Sequence, residues 1–191
     1  MKENKELRAL ARSQLKGNWG LAIGVVLVFS LIIGFSSIVF VGPLVLGGPL
    51  VLGLACFFLK KARGETVQFN NLFEGFNDFV ASLVLYLLQL LFISLWSCLF
   101  FIPGMIKSLS YSMAFYILKD NPGLGGNEAI TRSRKMMNGY KFKLFCLYFS
   151  FIGWILLCFL TFGIGFIILL PYIELSTANF YEDLKKNQQD S

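Results

Sequence analysis

The sequence predicts an all-α polytopic membrane protein with six transmembrane helices in three hairpins and short interfacial amphipathic helices on the cytoplasmic side. Three observations predict it. The 191 residues are 56% hydrophobic and 15% charged, more apolar surface than a soluble domain of this size can hide from water. The charges are also kept out of three long runs: 41 residues from Trp19 to Leu59 hold none, 40 from Phe79 to Leu118 hold only Lys107, and 38 from Leu144 to Tyr181 hold only Glu174. A helix needs about 20 residues to cross roughly 30 Å of hydrocarbon, so each run is long enough for two crossings and a turn. Finally, 16 of the 17 Lys and Arg residues lie before Trp19, in the two connections or after Tyr181. If each hairpin goes out and comes back, all sixteen fall on one side, the bias of a cytoplasmic face. Both termini are then cytoplasmic, and residues 1–191 form a single integral membrane domain.

In chain order, the first element is a short helix within Lys2 to Lys16. On it Lys5, Arg8, Arg12 and Lys16 share one face and Leu7, Leu10 and Ala11 the other, the pattern of a helix lying along lipid headgroups. The first apolar run is far longer than the 7 to 15 apolar residues of a secretory signal, so its first helix is expected to act as an uncleaved anchor. G-P-L-V-L-G-G-P (Gly42 to Pro49) is expected to close the first hairpin, because Gly and Pro punctuate elements. The aromatic-rich stretch from Phe69 to Phe79 suits the headgroup boundary, and I-P-G (Ile102 to Gly104) closes the second hairpin. In the second connection, Asn127 can cap a helix ending at Gly139, with Ile130, Ser133 and Met137 on one side and Arg132 and Lys135 elsewhere. This helix reads either as interfacial, with Arg132 and Lys135 toward lipid headgroups, or as a connector packed against the bundle. T-F-G-I-G (Thr161 to Gly165) closes the third hairpin. Pro171 is expected to kink the last helix, because it removes a backbone donor and crowds the preceding turn.

The chain also carries a loose internal repeat, about 1–63, 64–120 and 121–185. L-K-G-N-W, F-E-G-F-N and M-N-G-Y-K each set a glycine beside an aromatic residue ahead of an apolar run, with Gly17, Gly75 and Gly139 spaced by 58 and 64 residues. The exits match as well: A-C-F-F-L-K-K from Ala55, A-F-Y-I-L-K-D from Ala114 and A-N-F-Y-E-D-L from Ala178. Each unit reads as an interfacial segment followed by a transmembrane hairpin.

Chemistry is sparse. With no histidine, His-based general-base catalysis, Ser-His-Asp triads and the usual zinc-enzyme ligand sets are excluded. No two acids share an apolar run, and P-G-L-G-G (Pro122 to Gly126) lacks the G-K-[ST] of a phosphate-binding loop. Cys56, Cys98, Cys146 and Cys158 show neither C-x-x-C spacing nor a disulfide framework. The chain reads as no enzyme, with no cofactor, no metal and no nucleic-acid partner; its net charge of +6 reports topology and attraction to anionic headgroups. The candidate polar site within the membrane is Lys107, Tyr111 and Glu174. Counted along straight helices, Lys107 lies roughly 18 Å and Glu174 about 12 Å from the charged boundary. An ionisable group at such depth costs about 2.5 to 3.5 kcal/mol and ordinarily finds a partner. The two are expected to approach each other, supported by Ser108, Ser110, Ser112, Ser176 and Thr177. The competing reading has Lys107 snorkelling to the surface and Glu174 protonated or bonded to a carbonyl freed by Pro171.

S-R-K-M-M-N-G-Y-K-F-K-L-F (Ser133 to Phe145), S-F-I-G-W (Ser150 to Trp154) and I-P-G-M-I-K-S-L-S-Y-S-M-A-F-Y-I-L (Ile102 to Leu118) resemble the signature of a family of uncharacterised bacterial integral membrane proteins known as domain of unknown function 975. The resemblance covers nearly the whole chain. It implies a bacterial cell membrane and carries no activity and no functional residues. Two functions stay open: a non-catalytic membrane-associated partner or stress and envelope protein, with another membrane protein or a second copy as its partner, or a small permease or amphiphile-binding transporter built on the polar site.

Overall fold

Every element of the computed structural model is a helix; it describes residues 2–38, 41–99, 101–161, 163 and 165–189. Phe162 and Ile164, within the expected third turn, lie outside the described residues, as do Val39 and Phe40 of the first apolar run.

The first helix, α1 (Asn4–Leu15), opens on a capping box in which Glu3 and Glu6 satisfy each other's backbone donors. Its buried row is Leu7, Ala11 and Leu15, with Leu10 half-buried. The row packs on protein rather than on headgroups, because α1 lies against the last helix: Asn179 Nδ2 donates to Gln14 Oε1 at 2.7 Å, and the Lys2 N–H donates to Asp183 Oδ2 at 2.8 Å.

Two long helices follow, α2 (Trp19–Ser36) and α3 (Gly42–Ala62). The turn between them precedes Gly42, so G-P-L-V-L-G-G-P is not the turn but the first two turns of α3. Pro43 sits where a helix has no use for its N–H. Gly47 and Gly48 serve close approach instead: a methyl on Gly48 would come within 2.6 Å of the Ser82 carbonyl oxygen, and one on Gly47 within 2.6 Å of the Tyr86 ring. Small residues of this kind are what let helices in a membrane approach closely. A 3₁₀ helix (Phe69–Phe76) packs along the same helix, its Leu72 backbone on Gly53 and its Gly75 on Pro49.

Next come α4 (Phe79–Leu99), α5 (Phe101–Tyr111) and α6 (Ala114–Asp120). Pro103 and Gly104 fall in the first turn of α5, so the second reversal also lies just before the Pro-Gly pair. The α5 helix returns antiparallel along α4: Gly104 lies against Ser97, and Gln89 Nε2 donates to the Tyr111 carbonyl at 2.9 Å. The apolar run then breaks at Ser112 and Met113. Beyond it are α7 (Gly126–Met136), α8 (Lys141–Phe149), α9 (Ile152–Leu160) and α10 (Gly165–Gln189), with a bend at Ser150 and Phe151 between α8 and α9. The residue flanking α7 is Gly125, and no side chain caps the helix; Asn127 lies inside it. Ile130, Ser133 and Met137 are buried, while Arg132 and Lys135 are exposed. The α10 helix continues through Pro171.

Four described stretches are long and apolar enough to cross a membrane: Trp19–Ser36, Gly42–Ala62, Phe79–Cys98 and Lys141–Leu160. The remaining apolar sequence is divided. α5 and α6 have 11 and 7 residues, and α10 mixes its apolar first half with Glu174, Asn179 and a charged end. The α3 helix is central, touching α2, α4, α6, α10 and the 3₁₀ helix. Around it, α2, α4 and α9 turn large apolar side chains outward, among them Phe35 at 70% exposure and Leu160 at 79%. A soluble monomer rarely leaves so much contiguous apolar surface uncovered.

Candidate functional site

The structure places Lys107 and Tyr111 one turn apart on α5 and Glu174 on α10. Lys107 Nζ lies over the Trp96 ring, 4.6 Å from its centroid. It borders a basic cleft of about 380 Å³ with Ser110, Arg134, Asn138 and Lys141. The 18 Å depth assumed one straight helix to Lys119; the break at Ser112 and Met113 removes that assumption and leaves Lys107 among other cations. Tyr111 is buried with its ring 6.2 Å from that of Phe92. Glu174 is half-buried on α10, with the phenols of Tyr116 and Tyr148 in its electrostatic neighbourhood. No ion pair joins it to Lys107 among the described residues, because α5 packs on α4, α7 and α8 whereas α10 packs on α1, α2, α3 and α9. Each expected supporting hydroxyl donates to a backbone carbonyl three or four residues earlier, and Thr177 also reaches the Tyr148 hydroxyl at 3.4 Å. Ser108 donates to Met105, Ser110 to Ile106, Ser112 to Leu109, Ser176 to Tyr172 and Thr177 to Ile173.

The densest polar constellation is built from residues whose sequence pattern predicts only topology. It ties together the ends of α3, α6 and α10 and the 3₁₀ helix. Glu74 accepts from Lys60, from Lys119 at 3.0 Å and from Asn71. Burial alone would raise its pKa, but these donors outweigh burial and hold the carboxyl down at about 2. Asp120, with a side chain 8% exposed, accepts from Arg63 at 2.7 Å, from the Tyr181 hydroxyl at 2.9 Å and from Lys185. Its pKa is also lowered, the hydrogen bonds again overcoming burial. Arg63 pairs further with Glu182 at 2.8 Å. Carboxylates held ionised by several donors from different elements fasten those elements together. The sequence signal of this cluster was the resemblance of the three exits. Ala55–Leu59, Ala114–Leu118 and Ala178–Tyr181 are all buried, and Tyr116 stacks on Tyr181 with ring centroids 5.3 Å apart. The entrances agree only in part: Gly17 and Gly139 adopt left-handed φ of 82° and 81° just past α1 and α7, whereas Gly75 serves the close approach to α3.

A third region lies where α1 meets α9 and α10. Arg8 Nη1 donates to the Ser150 carbonyl at 3.2 Å, at the bend before α9, and its guanidinium lies 5.8 Å from the Phe151 ring centroid. Lys5, Arg12 and Lys16 are exposed on the same side of α1. These cations, with Trp154 and Tyr172, border a depression of about 350 Å³. It adjoins an apolar slot of about 320 Å³, where Arg12, Trp19, Trp154 and Tyr172 give way to Leu157, Cys158, Ile168 and Leu169. Among the described residues no group of three or more His, Cys, Asp or Glu could hold a metal ion.

A family model described as Protein of unknown function (DUF975) matches residues 1–106 and 99–188. No curated protein and no solved structure matches the chain.

Proposed function

The chain belongs to the family described as Protein of unknown function (DUF975), and because that description names no activity, we propose its role from its own residues. It is a non-catalytic, multi-pass protein of a bacterial cell membrane that serves another membrane protein, a second copy of itself or the envelope under stress. The observation that carries this reading is the outward apolar surface of α2, α4 and α9, which lipid or another membrane protein must cover. In this reading three hairpins give six crossings, α2 with α3, α4 with α5 and α6, and α8–α9 with α10. Both termini and the exposed cations, Arg132 and Lys135 included, lie on the cytoplasmic side toward anionic headgroups.

Cysteine accessibility in intact cells tests the arrangement, in a background with the four native cysteines replaced. Arg134→Cys reacts with an impermeant maleimide only after permeabilisation, and Ser97→Cys, near the end of α4, reacts from outside. Labelling of Arg134→Cys from outside overturns the orientation. Labelling of Ser97→Cys only from within reduces three crossing hairpins to two.

The permease or amphiphile-binding reading has one observation in its favour, the half-buried Glu174 near Tyr116 and Tyr148. A watery pathway there makes Glu174→Cys reactive to small charged thiol reagents. No reaction in the folded protein removes this reading.

A further inference from the structure

Resting on the membrane reading above, we propose that the cleft between α1, α9 and α10 binds one anionic phospholipid, its phosphate on the basic row of α1 and an acyl chain in the adjoining slot. Continuity is the first argument. The polar depression and the apolar slot share Arg12, Trp154 and Tyr172, so a single molecule can occupy both. Indoles at that boundary present an apolar ring and one N–H donor, the combination that suits a headgroup level.

Charge is the second argument. Four cations, Lys5, Arg8, Arg12 and Lys16, border the mouth, and no acid does. Lys60, Arg63, Lys119 and Lys185 at the ends of α3, α6 and α10 are spent on Glu74, Asp120 and Glu182, whereas among the described residues no ion pair forms at Lys5, Arg12 or Lys16. The nearest acid in sequence, Glu6, is engaged at the other side of the helix start, accepting from the Glu3 N–H at 2.8 Å. Arg8 is fixed by the Ser150 carbonyl, and its Nε is buried without a partner. An anion is the missing counterpart, and Arg presents paired donors matched to phosphate oxygens.

Apolar shape is the third argument, and it distinguishes a lipid from a free anion. Cys158 and Leu169 form a floor at 6% and 5% exposure, and Leu157 and Ile168 stand as half-exposed walls. Inorganic phosphate would leave this slot unfilled; an acyl chain fills it.

The test uses the full-length protein with Trp96→Phe, so that only Trp19 and Trp154, both lining the slot, report. The protein is reconstituted into phosphatidylcholine vesicles containing a minor fraction of lipid brominated on its acyl chains, either phosphatidylglycerol or phosphatidylcholine, and tryptophan quenching is compared. Brominated phosphatidylglycerol is expected to quench more strongly. Arg12→Gln with Lys16→Gln lowers its relative affinity roughly tenfold to thirtyfold and removes the excess. Arg134→Gln with Lys135→Gln, an equal loss of charge elsewhere, retains it. Equal quenching by both lipids overturns the site, as does an excess that survives the α1 pair or disappears equally with the α7 pair. Protein that fails to float with the vesicles overturns the membrane reading itself, which separates that failure from failure of the site.

Discussion

Asp120 shows how much one side chain can fasten. Its carboxylate takes three donors from two other parts of the fold, Arg63 after α3 and Tyr181 and Lys185 on α10, while itself ending α6. Asp120→Asn leaves two cations facing a neutral amide in a largely buried setting, and unfolding in detergent is expected to be easier by about 2–3 kcal/mol. Glu74→Gln is expected to cost less, about 1 kcal/mol, because the Glu74 side chain is itself more exposed, 24% against 8% for Asp120; equal losses would refute the ranking by burial. The pH dependence follows from the lowered pKa. Glu74 contributes fully above the ordinary glutamate value of 4.5 and loses that contribution as pH falls toward about 2. The gap between wild type and Glu74→Gln should therefore narrow across that interval, and a gap constant from pH 7 to pH 2 would show that the carboxylate is not held ionised by its neighbours. None of these pairs could be read from composition. Lys60, Arg63 and Lys119 were legible as cations at an interface, but their partners lie between 14 and 119 residues away.

Glycine decides how the elements meet. A methyl on Gly53 would overlap the Leu72 carbonyl, a backbone atom that no rotamer change can move aside. Gly53→Ala is expected to push the 3₁₀ helix off α3 and to destabilise by about 3 kcal/mol. Gly20, also helical, has nothing within 4 Å of its added carbon; Gly20→Ala is expected to be neutral or to stabilise by up to about 1 kcal/mol. Thermal unfolding of the two variants side by side checks the contrast, and similar behaviour would mean that the contact at Gly53 is not tight. The same glycines explain why the first two reversals lie outside the Gly-Pro clusters. Gly-Pro clusters mark turns when the chain must reverse, yet a helix also accepts Pro in its first turn and Gly where another backbone crosses it. Both uses look alike in G-P-L-V-L-G-G-P, and the first two turns lie a few residues earlier than the Gly-Pro pattern predicts. The length and apolarity of Trp19–Ser36, Gly42–Ala62 and Phe79–Cys98 were legible because hydropathy over such spans needs no tertiary context. The breaks at Ser112–Met113 and Ser150–Phe151 were not legible, since no Pro or Gly announces either. The break at Ser112–Met113 removes the straight helix on which a deep Lys107 depends.

Across the whole molecule, the packing is uneven. Two thirds of the α3 span is buried inside the protein, against 17% of α2 and 11% of α4; the periphery is an apolar coat around one central helix. What covers that coat distinguishes a lone membrane protein from a component of a larger assembly, and a pair of truncations can report it. Leu52 on α3 is 1% exposed, and Leu91 on α4 is 51% exposed. Leu52→Ala removes contacts that exist only in the folded bundle and is expected to cost about 2–4 kcal/mol. For Leu91 the surroundings are hydrocarbon whether or not the bundle is formed, because lipid tails are as apolar as leucine. Leu91→Ala should therefore leave stability unchanged within about 0.5 kcal/mol if lipid is the neighbour. If a second copy covers α4, the same truncation weakens the assembly, and the loss appears as a concentration-dependent midpoint in mixed micelles, since association stabilises by mass action. Unfolding of both variants across a dilution series reads the two cases apart: a midpoint independent of dilution for Leu91→Ala and wild type alike assigns α4 to lipid, and a dilution-dependent one assigns it to a protein partner.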